Sequence, residues 1–465
     1  RYYFEDTGSE EKNRHYAELF QGLAIVEEGE IYTREMGQYP VITLTLKSAK
    51  QRSYKEAFHC LKETIAEEYA RHEKEVVGKL RNQTETEKYM RIREQRAEES
   101  EYLTSIAFLS KCLYQAYGKE CIILLDEYDV PLENAYFTSF YEEMVGFIRS
   151  LFESALKTNP YLEFAVITGC LRISRESIFT GLNNLRIYSI VNENYDEYFG
   201  FKEDEVYGML KAYHREANMD TVKKWYDGYM FGEVEVYNPW SVINHMQDII
   251  TNPKSFPVPY WANTSSNNIV RDLVENASED VREELEELIN GGTIEKPIHE
   301  DITYDSIHDT EDNLWNFLFF TGYLKKISSR MEGENQYVTM GIPNAEVSYI
   351  YKNTIQAWFD RRQKGFDLSP LYEAIDEGDT DRMEAEITGC LMETISFFDY
   401  GESYYHGFLA GLLKQNGKYR IRSNRESGLG RADLILRTPR IRNGRAIVLE
   451  LKEVKKYSDL EQGCE

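Results

Sequence analysis

The 465-residue sequence has no apolar run long enough to cross a membrane. Its first residues, RYYFEDTGSEEKNRHY, lack the apolar core of a signal peptide and lack an initiating Met, so the chain is expected to be a fragment. Cysteine is scarce. The six residues, at positions 60, 112, 121, 170, 390 and 464, form no CxxC pair. That excludes a zinc ribbon or a disulfide framework and predicts a reducing cytoplasm. The eight histidines form no HExxH motif, which removes the zinc-protease helix. There is no internal repeat and no low-complexity tract, so a solenoid is excluded. The phosphate-cradling loop GxxxxGK[ST] is also absent: Gly78-Lys79, Gly118-Lys119 and Gly417-Lys418 are each followed by the wrong residue.

Apolar residues make up 42% of the chain, enough for large cores, which excludes global disorder. The net charge is −26, and an acidic surface repels phosphate. The charge is uneven. From Tyr404 to Tyr457 there are 13 Lys+Arg against 4 Asp+Glu, a local charge of +9, and the other residues sum to −35. A basic C-terminal module therefore follows an acidic body.

Pro40–Leu46 (PVITLTL), Cys121–Asp129 (CIILLDEYD) and Leu162–Gly169 (LEFAVITG) are short apolar, β-branched runs that read as buried strands, with Arg186–Ile190 as a fourth. Helical composition covers Ser53–Ala70 and Ser139–Lys157, and the charged stretch from Glu73 to Ser100 reads as a solvated helical excursion. Strands alternating with helices predict a parallel α/β sheet. Beyond Phe201 the texture becomes helical, broken by YDGYMFGEVEVYNPWSVI, an aromatic turn or hairpin that leads into a helix at Pro239. Its aromatics could stack bases, but a packed turn is the expected reading. Trp261, Trp315 and Trp358 read as core.

The last hundred residues hold a helix at Ser403–Leu413, then strands at Lys418–Asn424, Arg431–Arg437 and Arg445–Lys452. The last two strands are joined through the turn signal Asn443-Gly444. Residues two apart in a strand share a face, so Glu450 and Lys452 project together and Leu451 faces a core. Asp433 falls on the neighbouring antiparallel strand. Two carboxylates on adjacent strands suit Mg²⁺ (or Mn²⁺), a hard ion that prefers oxygen, with Asp433 and Glu450 as the ligands. The ion can activate a water and polarise a phosphate, and Lys452 can stabilise the developing charge. Glu426, seven residues before Asp433, or Glu402 would supply a further acid, with Glu426 preferred. In the N-terminal half, IILLDEYD delivers Asp126 and Glu127 at a strand tip, where a nucleotide hydrolase holds Mg²⁺ and polarises water. Thr168, at the next strand tip, would sense a γ-phosphate, and Arg172 or Arg175 would contact phosphate.

Asp on one strand followed by Glu-x-Lys on the next, with YPVITLTLK, IILLDEYDVPL, ITGCLRISRESIFTGLNNLRIYSI, YFGFKEDEV, WYDGYMFGEVEVYNPWSVI, LWNFLFFTGYL, IPNAEV, YYHGFLAGLL and NRESGLGRADLIL…VLELK in order, resembles the AAA-ATPase-like family of bacterial proteins that carry a C-terminal PD-(D/E)XK nuclease domain. Ala432-Asp433 departs from the family's leading Pro-Asp. The resemblance implies nuclease roles for Asp433, Glu450 and Lys452 and Walker B roles for Asp126 and Glu127. It also implies that the chain begins just after its phosphate loop and ends before a helix bearing a Gln and a Tyr.

The expected fold is α/β: a P-loop NTPase-like parallel sheet (1–200, Walker A missing), a helical lid or linker (201–365), and a small PD-(D/E)XK nuclease-like domain (366–465). The expected function is ATPase-regulated, metal-dependent hydrolysis of DNA in the cytoplasm, with ATP bound by the full-length protein. Nucleic acid, DNA foremost, is the expected partner of the basic module, with no membrane and with a homo-oligomer left open. The alternative is a non-catalytic, nucleotide-gated switch that grips nucleic acid or a protein partner.

Overall fold

The computed structural model describes residues 1–170, 178–179, 182, 185–261, 270, 278–299, 307, 310–362, 368–394, 409–410, 413, 419–427, 430–438 and 446–449. At some of these positions, Glu426 and Asp433 among them, only the backbone is described. By compactness the chain divides into Arg1–Ile187 with His299–Asn313, and Tyr188–Ile298 with Leu314–Glu465.

The first unit opens with three short helices, α1 (Glu10–Glu18), α2 (Ala24–Glu27) and α3 (Glu30–Thr33), which bury no side chain. The core is a parallel sheet of β1 (Val41–Thr45), β2 (Cys121–Asp126) and β3 (Leu162–Ile167), in that order. Helix α4 (Tyr54–Val76) packs on β1, and α7 (Ser105–Tyr117) packs on β2. Ser53 caps α4 by accepting from the Glu56 amide at 3.4 Å. Helices α8 (Val130–Phe137) and α9 (Tyr141–Leu156) complete the β2–β3 crossover, and α9 turns Met144, Phe147, Ile148, Leu151 and Phe152 inward at helical spacing.

Between α4 and α7 lie α5 (Gln83–Arg93) and the single turn α6 (Glu99–Tyr102). The charged stretch is solvated on one face only. Tyr89 and Ile92, three residues apart, are buried, and the Tyr89 ring lies 4.7 Å from that of Tyr69. The Tyr89 hydroxyl donates to the Tyr69 carbonyl at 2.6 Å. Charge density hid this tyrosine seam, because two buried residues among eleven barely change the hydropathy of α5.

The two edges of the parallel sheet differ. On the outer edge of β1, the buried Glu68 carboxylate accepts the Thr43 amide at 2.8 Å, and Arg71 donates to the Val41 carbonyl at 2.5 Å. Burial pushes the Glu68 pKa up, but hydrogen bonds from His72 and Arg71 hold it below the ordinary value. Among the described residues β3 pairs only with β2, and its Phe164 and Val166 are 37% and 45% exposed. The expected fourth strand is not formed. Within Arg186–Ile190, the Ser189 amide donates to the Asn192 side chain at 2.7 Å, and this local turn replaces a ladder.

The second unit begins with α10 (Glu203–Ala212), α11 (Met219–Tyr226), the hairpin β4 (Tyr229–Phe231) and β5 (Val234–Val236), and α12 (Pro239–Thr251). Helix α12 starts where the sequence places it: Asn238 accepts the Ser241 amide at 3.3 Å, and Pro239 occupies the first turn. Then follow α13 (Glu279–Ile289), β6 (Ile294–Pro297), α14 (Glu311–Phe320), β7 (Lys325–Glu332), β8 (Asn335–Gly341) and α15 (Ala345–Arg362). The stretch expected as a helical lid thus also carries two antiparallel sheets, β4-β5 and β6-β8-β7. The aromatic hairpin is a packed turn, with Tyr226 and Tyr237 buried. Trp315 is fully buried and Trp261 half-buried, and the Trp358 side chain lies outside the described residues. The buried Glu346 carboxylate ties α15 to its neighbours, accepting from the Ser241 hydroxyl and from the Trp261 amide, both at 2.8 Å.

After α16 (Ser369–Glu377) and α17 (Thr380–Thr394), the chain forms β9 (Arg420–Ser427), β10 (Gly430–Arg437) and β11 (Ala446–Leu449). They make an antiparallel sheet with β10 in the middle. Leu434, Ile435 and Leu436 are all buried, so this central strand is covered on both faces.

Asp227, after α11, is buried, and burial pushes its pKa up to about 6. From its ordinary 3.8 up to about 6, the folded state holds more proton than the unfolded state. Stability is therefore lost as pH rises through that window. Asp227→Asn, which keeps the shape and removes the charge, is expected to raise Tm at about pH 8 and to leave it near wild type at about pH 4. Thermal melts across pH check this.

Candidate functional site

Two sheets carry the candidate site residues. The first set lies at the carboxyl edge of the parallel sheet, where such folds bind ligands. Parallel pairing sets Thr45 beside Asp126, and the Leu46 amide donates to the Asp126 carbonyl at 3.0 Å. On the other side the Thr168 amide donates to the Leu125 carbonyl at 2.8 Å, and the Tyr128 amide donates to the Thr168 carbonyl at 3.1 Å. These bonds bring the Thr168 hydroxyl onto the Asp126 carboxylate, to which it donates. Asp126 and Thr168 therefore meet, as their strand-tip positions predict, and Glu127 follows Asp126 at the same edge.

Glu127 sits in left-handed backbone, with φ of 53°. That conformation is uncommon for a non-glycine residue and gathers at functional turns. Glu127 Oε1 lies 3.8 Å from Lys47 Nζ, and Glu127 Oε2 is buried without a hydrogen-bond partner among the described residues. Lys47 was not singled out in the sequence, although its position just after the apolar run of β1 puts it at the same sheet edge. Asp129 was missed as well. It is 2% exposed and accepts the Cys170 amide at 2.8 Å. Arg172 and Arg175 lie outside the described residues.

The second set lies on the antiparallel sheet. Leu434 pairs with Leu449 and Leu436 with Ile447 across β10 and β11. Leu434 also pairs with Ser423, and Arg431 with Glu426, across β10 and β9. Asp433 therefore lies on the central strand, one residue before Leu434, and Glu426 lies on the strand beside it. Leu449 is followed in the sequence by Glu450-Leu451-Lys452, which fall outside the described residues, as does Glu402. Among the described residues no group of three or more His, Cys, Asp or Glu stands ready to hold a metal ion.

Residues 1–179 match the family model described as "Predicted AAA-ATPase", and residues 400–465 match that of the PD-(D/E)XK nuclease superfamily. The chain joins an AAA-ATPase-like region to a PD-(D/E)XK nuclease region. It is also similar to the "Uncharacterized protein in vnfD 5'region" of Azotobacter chroococcum mcd 1, being 28% identical over 162 residues. That match takes in 35% of this chain and 30% of the relative's length. No solved structure matches.

In the AAA-ATPase-like region one glycine has no room to change. A Cβ on Gly169 would lie 2.5 Å from Tyr128 Cε1 and 2.7 Å from Asp129 Oδ1. Gly169→Ala is expected to cost about 1–3 kcal/mol in urea denaturation. Gly146, within α9, has nothing within 4 Å of its Cβ position. There the same change is expected to stabilise by about 0.5–1 kcal/mol through helix propensity.

Proposed function

We propose that the protein is a metal-dependent nuclease that cuts DNA, governed by the nucleotide state of its AAA-ATPase-like region. The observation that carries this reading is the register of β10 against β11. Leu434 pairs with Leu449, Asp433 precedes Leu434 on β10, and Glu450 follows Leu449 in the sequence.

The carboxylates of Asp433 and Glu450, with Glu426 of β9 paired two residues from Asp433, would offer hard oxygen donors that suit Mg²⁺ or Mn²⁺. A cation bound there would supply a water of lowered pKa and polarise a phosphate. Lys452, two residues after Glu450 in the sequence, would neutralise charge developing on the phosphate. Hydrolysis adds water at phosphorus and breaks one P–O ester bond. The net +9 of Tyr404–Tyr457 favours a polyanionic substrate. No described helix is long and apolar enough to cross a membrane.

At the parallel sheet, Asp126 is the expected ligand of a nucleotide's Mg²⁺, Glu127 the group that orients water, and Thr168 the reporter of the γ-phosphate. The Glu127 oxygen without a hydrogen-bond partner among the described residues supports this reading. We retain 1–200, 201–365 and 366–465 as the functional division. The scattered cysteines, with no CxxC pair, support a cytoplasmic setting.

The protein with Mg²⁺ or Mn²⁺ is expected to cut DNA, and Asp433→Ala to reduce the rate by at least about 100-fold, with unchanged folding by circular dichroism. Intact DNA with the wild-type protein, under conditions where a control nuclease cuts, would sink the reading. DNA retained in gel shifts without any cleavage would favour the non-catalytic switch instead.

A further inference from the structure

We propose that Asp129 is a positioning residue of the nucleotide edge: it seats the Gly169–Cys170 turn so that the Thr168 hydroxyl stays on Asp126. This rests on the nucleotide reading above. Asp129 occupies the N-cap position of α8, where an aspartate ordinarily accepts an amide of its own helix. It makes no such bond. Its Oδ2 instead reaches 41 positions along the chain to the Cys170 amide, at 2.8 Å. A carboxylate that is 2% exposed and takes a backbone amide makes a strong, short-range tether.

The turn is held at more than one point. Gly169 lies directly against the Asp129 carboxylate, since a Cβ there would be 2.7 Å from Oδ1. The Tyr128 amide holds the Thr168 carbonyl at 3.1 Å. Residues 128 and 129, which follow the two strand-tip acids, thus grip residues 168–170 from the β2 side. The Thr168–Asp126 hydrogen bond depends on that grip, because a drift of about 1 Å in the turn is enough to break it. The fourth residue of Asp126-Glu127-Tyr128-Asp129 thereby acts on the first through the neighbouring strand.

The test is hydrogen exchange read by mass spectrometry on the whole chain, with Asp129→Ala and Asp129→Asn beside wild type. In Asp129→Ala, amides of the segment 168–170 are expected to exchange at least about tenfold faster, while β1 and α4 keep their protection. Asn retains an acceptor oxygen, so Asp129→Asn is expected to stay within about twofold of wild type. Unchanged exchange in Asp129→Ala, or equal acceleration in both variants, overturns the tether. Should Asp129→Ala fail to fold, Asp129→Ser decides, because its hydroxyl can cap α8 but is too short to reach Cys170. It should show the same local acceleration. A second arm adds Mg²⁺-ATP. Protection of 121–129 and 162–170 that weakens at least tenfold in Asp129→Ala and survives in Asp129→Asn supports the positioning role. Protection equal in all three proteins overturns it. No protection in wild type removes the nucleotide reading, and with it the role at that edge, while the first arm still reports on the tether.

Discussion

The pairing of β2 between β1 and β3 is the constraint on which the N-terminal half depends. Parallel strands leave all three carboxyl ends on one edge. Residues far apart in sequence come together there, Thr168 with Asp126 and Lys47 with Glu127, because the ladder holds Thr45 against Asp126 and Ile167 against Leu125. The same ladder sets the turn after β3 against Tyr128 and Asp129. The C-terminal half solves a similar problem with antiparallel pairing. There β10 is central and covered on both faces, so the register that brings Asp433 toward the end of β11 is specified by buried leucines. A one-residue slip would move Leu434 and Leu436 out of register with their partners.

The strands were legible because each is a short, β-branched, apolar run that ends in polar residues. In a buried parallel strand that pattern has few competitors. Helix α12 was legible for a different reason: Asn238-Pro239 is a start signal with a local mechanism, and the Ser241 amide uses it. The antiparallel pairing of β10 with β11 followed from alternation and the Asn443-Gly444 turn signal, whereas the place of β9 on the other side of β10 came from the structure.

What was not legible depends on tertiary partners. Nothing in Asp129 separates a buried acceptor from a solvated acid, because its partner is an amide on another strand. Lys47 looks like any lysine that closes a strand until its edge is known. Tyr89 and Ile92 sat in a run of charge that hid the seam with Tyr69. Arg186–Ile190 was β-like in composition, yet Asn192 offered its backbone a nearer acceptor. Each is a case in which a contact outside the local window outweighed the local pattern.

The nuclease reading depends on a divalent ion held by the strand that carries Asp433. The most direct measurement is Mn²⁺ binding followed by electron paramagnetic resonance on the folded protein without nucleotide. The account predicts that wild type takes up one more tightly held ion than Asp433→Ala. Equal stoichiometry and affinity in the two proteins would contradict it.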